Sequence, residues 1–202
     1  EIKNCLYGKP FGMRISGSEE NVRSMTRKQL LEKHRAVYCP ENSILCVVGN
    51  NNFEDVVRLA EKFCIDRKMK TKPESPKISF KNENKTESRR ELQQASVAIG
   101  FHFPKMSDKE RYASEVFSAI FGDGLSSKLF TEVREKRGLA YTVKSNLDTG
   151  KEFGYLVIYA GTNKETVGEV LKLCIEEFGK MKELTEKELA EGKNQVIGNF
   201  EV

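Results

Sequence analysis

The chain has 202 residues, of which 38% are hydrophobic and 32% charged, with 12 Phe and no Trp; this is enough apolar material for a packed core. No apolar run approaches the ~20 residues that a membrane-crossing helix needs, and the opening EIKNCLYGKPFG lacks the basic start and apolar stretch of a secretory signal. The net charge of +4 sits wholly in residues 66–91, where nine basic and five acidic side chains are punctuated by Pro, Ser and Asn; this describes a solvated linker, because nucleic-acid binding gathers its cations on a structured face with aromatics nearby.

These features predict a cytoplasmic protein with no membrane and no nucleic-acid partner. The cysteines agree. Cys5, Cys39, Cys46, Cys64 and Cys174 are odd in number, irregularly spaced and without a CxxC pair, so reduced thiols are expected.

In chain order, TRKQLLEKHRAVY from Thr26 reads as a helix with a capping box between Thr26 and Gln29, and Pro40 blocks its continuation. SILCVVG (residues 43–49) is a short apolar run between turn residues and reads as a buried strand. Asn52 caps a second helix, FEDVVRLAEKFC, whose Val56, Leu59, Ala60 and Phe63 share one face. After the charged stretch, residues 95–103 carry the second strand signal. Residues 109–121 read as a helix with Tyr112, Val116, Ala119 and Ile120 spaced for burial. Another helix spans residues 126–136 and stops at Gly138. LAYTVKSNL and FGYLVIYAG flank Asp148-Thr149-Gly150 and predict a hairpin. A long helix follows Asn163 with an apolar stripe of Val167, Val170, Leu171, Cys174, Ile175 and Phe178, and Thr185 with Glu188 forms a second capping box. The fold expected is α+β, a two-layer mixed or antiparallel sheet with helices packed on one face. It is divided into residues 1–65, a linker at 66–92, and residues 93–202. Both ends read as cut, and neither piece reads as complete.

Few residues offer chemistry. His34 lies mid-helix among charges and His102 at a strand end, neither near a second ligand, so both are expected to be structural. HExxH, HxxEH and GxSxG are absent. FGDGLSS lacks phosphate-loop spacing and reads as a turn with Ser126 or Ser127 capping the next helix. The informative stretch is FGDGLSSKLFTEVREKRGLAYTVKS, residues 121–145. A helix carrying Arg134 ends at Gly138 and a strand then presents Tyr141, so a guanidinium fork and a phenol are available to grip a peptide carbonyl. The same residues suit a plainer reading: Arg134, Lys136 and Arg137 complement a helix C-terminus, and Tyr141 suits a half-buried strand position.

This stretch resembles the second-domain signature of the pitrilysin/insulinase-type zinc metallopeptidases, in the branch that includes mitochondrial processing peptidase. The shared pattern is a glycine-rich turn, Ser-Ser-Lys-Leu-Phe at 126–130, and Arg-Glu-x-x-Gly-Leu-Ala-Tyr at 134–141. Residues 7–50, with the Tyr38-x-Pro40-x-Asn42 element, resemble the latter part of the family's first domain, and residues 95–104 and 184–193 fit the second. The resemblance implies parts of two homologous repeat domains of a zinc metalloendopeptidase acting on peptide or protein substrates. It carries the substrate-contacting roles to Arg134 and Tyr141, with Arg137 fitting the motif less well. The zinc-binding HxxEH helix is expected before Glu1, so these residues are expected to hold no metal and no catalytic group, and the isolated chain to bind no catalytic zinc and cleave nothing. The alternative is a non-catalytic sister subunit of the same fold, acting in peptide binding or assembly. Because the two pieces are complementary parts of a repeat, a homo-oligomer or swapped dimer is expected.

Overall fold

The computed structural model describes residues 1–63, 76–88, 92 and 94–201. The chain forms two compact units, Glu1–Met13 with Lys77–Val202, and Arg14–Pro76.

The described residues of unit Arg14–Pro76 form three α-helices, here α2 (Glu19–Ser24), α3 (Arg27–Val37) and α4 (Phe53–Phe63). The capping box forms as the sequence predicts: Gln29 N donates to Thr26 Oγ1 and Thr26 N to Gln29 Oε1. Asn52 Oδ1 likewise accepts from Glu54 N and Asp55 N at the start of α4. None of the three helices buries a residue. The strand expected at residues 43–49 is absent: the segment has no ladder, and Ile44 and Val48 are 97% and 93% exposed. The physical reason is that an apolar run becomes a strand only beside another strand, and none lies among the described residues of this unit.

In the other unit, α1 (Ile2–Leu6) precedes β1 (Gln94–His102), α5 (Arg111–Gly122), a π-helical turn (Phe130–Glu135), β2 (Ala140–Thr149), β3 (Gly154–Asn163), α6 (Val167–Lys180) and α7 (Glu186–Glu201). The three strands form one antiparallel sheet in the order β1-β3-β2. Register sorts the side chains into two faces. Val97, Ile99 and Phe101 lie opposite Ala160, Ile158 and Leu156, which lie opposite Val143, Ser145 and Leu147. This face meets Phe121, Leu129, Val133, Val170, Leu173 and Cys174 from the helical layer, giving the main core. The α+β architecture with helices on one face is therefore observed. Within it, Tyr112 and Ile175 are exposed rather than buried, at the margins of their predicted apolar stripes.

Among the described residues of this unit, the opposite face is covered at one end only. Tyr7 packs there against Tyr155, Phe153, His102 and Phe80, and its hydroxyl donates to Gly154 O at 2.8 Å. Burial, reinforced by the nearby Asp148 carboxylate, pushes this phenol up to about 12. Part of the charged stretch belongs to the cover: Gly8 N donates to Ser79 O, Lys81 N to Leu6 O and Glu83 N to Cys5 O. At the other end Ser96, Ala98, Thr142, Lys144 and Tyr159 remain exposed.

Gly122, at the end of α5, lets that helix lie against β2: a Cβ there would sit 2.6 Å from Ser145 N. Gly168, in the first turn of α6, has nothing within 4 Å of such a Cβ. The two Gly→Ala changes therefore carry opposite signs. Gly122→Ala is expected to cost about 1–3 kcal/mol by forcing the helix off the sheet, whereas Gly168→Ala is expected to gain about 0.5 kcal/mol through helix propensity. Urea midpoints of the two variants check this, and a neutral Gly122→Ala would contradict the close packing.

Candidate substrate-contacting site

The site residues expected from the sequence lie on either side of one helix-to-strand reversal. Ser127 Oγ accepts from Phe130 N and so caps the helical segment at its start. Leu129 and Val133 are fully buried and anchor it to the core. Gly138 adopts φ +60° and ends it: Gly138 N donates to Arg134 O and Leu139 N to Val133 O, both at 3.0 Å. This backbone conformation favours glycine, so the stop read from the sequence has its mechanism. The final turns are π-helical rather than α-helical.

Three cations occupy this reversal, and their partners separate them. Glu132 accepts from Lys136 Nζ at 2.6 Å and from Arg137 Nη1 at 2.7 Å; the same Arg137 nitrogen reaches Glu132 O at 2.8 Å. Those hydrogen bonds, Lys136 first and Arg137 next, hold the Glu132 carboxyl below the ordinary carboxylate range. Arg134 makes no ion pair among the described residues. Its guanidinium lies 5.0 Å from the Phe130 ring centroid, a cation–π contact, and the residue is exposed. Arg134 is thus the cation available to a ligand, and Arg137 is committed.

Tyr141 follows at the start of β2, where the register against β3 shifts between Ala140 and Thr142. Such a bulge re-aims a side chain. Ala140 faces the core at 5% exposure while Tyr141 is 55% exposed, and its hydroxyl donates to Asn163 Oδ1 at 2.7 Å. No hydrogen bond or ring contact joins Tyr141 to Arg134; the structure brings Tyr141 together with Asn163 instead. The sequence reading placed Asn163 only as the residue before a helix. Its position opposite Gln94 at the end of β3, next to the bulge, needed the strand register.

The remaining polar residues serve the fold. His102 Nε2 is 3.1 Å from Lys81 O, with its ring edge-on to Tyr7 and Phe80. His34 stacks on Tyr38 at 4.7 Å. Residues 123–126 form a turn, with Gly124 at φ +86°. Among the described residues no cluster of three or more His, Cys, Asp or Glu could hold a metal ion, and no helix is long and apolar enough to cross a membrane. Cys64 and much of residues 66–92 lie outside the described residues.

Residues 24–196 match the peptidase M16 inactive domain. An uncharacterized zinc protease of Mycobacterium leprae (strain TN) is 33% identical over 178 residues, 85% of this chain and 40% of that protein. The uncharacterized zinc protease YmxG of Bacillus subtilis (strain 168) is 29% identical over 203 residues, 98% of this chain and 49% of that protein. The chain thus spans less than half the length of these two relatives. The crystal structure of a protease from Helicobacter pylori has the same fold, with a TM-score of 0.85 at 24% identity, covering 98% of this chain and 50% of that one.

The Glu132 cluster gives a pH test. A carboxyl held below its ordinary value of 4.5 contributes stability above that pH and loses it as the pH falls through the folded-state value. The wild-type chain is therefore expected to lose stability more steeply below pH 4.5 than Glu132→Gln. Urea midpoints measured from pH 6 down to pH 3 read the difference, and parallel curves would contradict it.

Proposed function

The chain belongs to the peptidase M16 family through its inactive-type domain, and from that premise we propose that it is the substrate-contacting part of a zinc-dependent metalloendopeptidase. Arg134 and Tyr141 are the peptide contacts in this reading, and the metal is held by residues other than these. Relatives that are themselves called zinc proteases support the reaction class. The donor set within the described residues does not fit zinc: His34 and His102 have structural partners and no third ligand beside them.

The observation that carries the reading is the position of Tyr141, raised onto the exposed end of a sheet face by a bulge between Ala140 and Thr142, which are both paired with β3. A polar side chain on a rigid strand meets a ligand with little ordering cost. Arg134 adds a planar fork with no ion-pair partner among the described residues, suited to a carbonyl or carboxylate of a bound peptide. Both groups act on binding and orientation, which supports a role in holding substrate rather than in transferring its protons.

In the full-length protein that carries this chain, Arg134→Ala and Tyr141→Phe are each expected to raise KM for a peptide substrate roughly tenfold, with kcat changed less. Unchanged KM for both would overturn the assignment. The match to an inactive-type domain also favours a second reading, a non-catalytic sister subunit that binds peptide or serves assembly. That reading expects the same two variants to weaken peptide binding in a full-length protein that holds no stoichiometric zinc and cleaves nothing.

A further inference from the structure

We infer that Asn163 is the second half of the peptide contact: together with Tyr141 it offers one hydrogen-bond donor and one acceptor to the main chain of an extended peptide. The inference rests on the reading of Tyr141 given above and adds to it a residue and a ligand chemistry.

The argument begins with the hydrogen-bond inventory. A phenol has one proton, and here it goes to Asn163 Oδ1 at 2.7 Å. The Tyr141 oxygen then presents only lone pairs outward, while Asn163 Nδ2 has no partner among the described residues. Exchanging the amide oxygen and nitrogen leaves the conclusion intact: Nδ2 would donate to the phenol, whose own proton would turn outward beside a free Oδ1. In either arrangement two adjacent, exposed groups present one donor and one acceptor. A peptide unit carries the complementary pair, a carbonyl and an N–H, in every residue of an extended chain. Side chains are more varied, so a fixed donor–acceptor pair reads backbone and tolerates sequence.

Local structure gives the Asn163 side chain no other task. It precedes a 3-10 turn, Lys164–Thr166, yet makes no side-chain cap hydrogen bond to it. Its backbone is held firmly instead. Thr162 is fully buried; its hydroxyl donates to Leu139 O and lies 2.6 Å from Thr166 Oγ1, which in turn donates to Asn163 O at 3.1 Å. Leu139 is two residues before Tyr141. Close polar contacts therefore run from the helix-to-strand reversal through Thr162 and Thr166 to the backbone of Asn163, whose side chain takes the Tyr141 hydroxyl. Both members of the pair are fixed before any ligand arrives.

The test is fluorescence anisotropy of the full chain with a fluorescein-labelled, uncharged ten-residue peptide, and with the same peptide N-methylated at its central amides. Asn163→Ala is expected to weaken binding of the unmodified peptide roughly tenfold, the scale of one or two lost hydrogen bonds. Asn163→Asp keeps an acceptor for Tyr141 but loses the outward donor, and should weaken binding comparably, which guards against a folding defect in the alanine variant. Tyr141→Phe combined with Asn163→Ala should be no weaker than the worse single variant within about twofold, since the two act as a unit. N-methylation removes the peptide N–H that the Tyr141 oxygen accepts, so it should weaken binding to the wild-type chain and leave binding to Tyr141→Phe unchanged. In Asn163→Ala the phenol proton is no longer held on Oδ1, so the N-methyl penalty should shrink, a response that a merely structural asparagine would not produce. If both Asn163 variants bind as the wild type does while Arg134→Ala and Tyr141→Phe bind weakly, the inference about Asn163 falls and the site reading stands. If the wild-type chain does not bind the peptide, or no substitution alters binding, the site reading falls and takes the inference with it.

Discussion

Strand β3 is the element on which the rest of this unit depends. It lies between two partners, and its inward residues Leu156, Ile158, Ala160 and Thr162 are all completely buried. Three of these are apolar and drive the sheet against the helices. The fourth is a threonine, and a buried hydroxyl must find partners or destabilise the fold. It finds Leu139 O and Thr166 Oγ1. The demand for polar satisfaction at one buried position therefore ties the end of the central strand to the reversal before β2 and to the turn before α6. The site stands where those segments meet.

Much of this was legible in the sequence because local signals and tertiary demands agree. Thr26 with Gln29, and Thr185 with Glu188, form the reciprocal hydrogen bonds that their spacing implies. The strand expected at 95–103 is β1, displaced by one residue. The hairpin forms, but its strands run through Asp148 and Thr149, and the reversal sits at Gly150 to Phe153, where Gly150 N donates to Phe153 O. Asp148 stays in the strand because its carboxylate takes the Tyr155 hydroxyl across the ladder, a bond that turn propensity cannot foresee.

What was not legible depends on partners distant in sequence. SILCVVG has the composition of a strand and remains unpaired, because composition says what suits a ladder and not whether a ladder is there. Residues 79–83 looked like solvated linker. Three of their backbone groups are nonetheless bound to residues 5–8 and fix one end of the sheet's second face. The bulge between Ala140 and Thr142 is a mismatch in length between β2 and β3, so no property of Tyr141 alone could announce it.

That mismatch also bears on the two readings of the arginines and the tyrosine left open by residue type, and on the proposed peptide contact. If complementing a helix C-terminus were the whole role of the basic cluster, all three cations would serve equally, and a single acidic neighbour would not sort them. Glu132 does sort them: it binds Lys136 and Arg137, and among the described residues Arg134 has the Phe130 ring and no ion pair. Tyr141, at 55% exposure, meets the half-buried position that the plainer reading asks of it, while the bulge turns Ala140 inward and sets the Tyr141 hydroxyl on Asn163. An exposed guanidinium without an acidic partner among the described residues, and a phenol held on Asn163 at the same surface, are the features on which the proposed peptide contact rests.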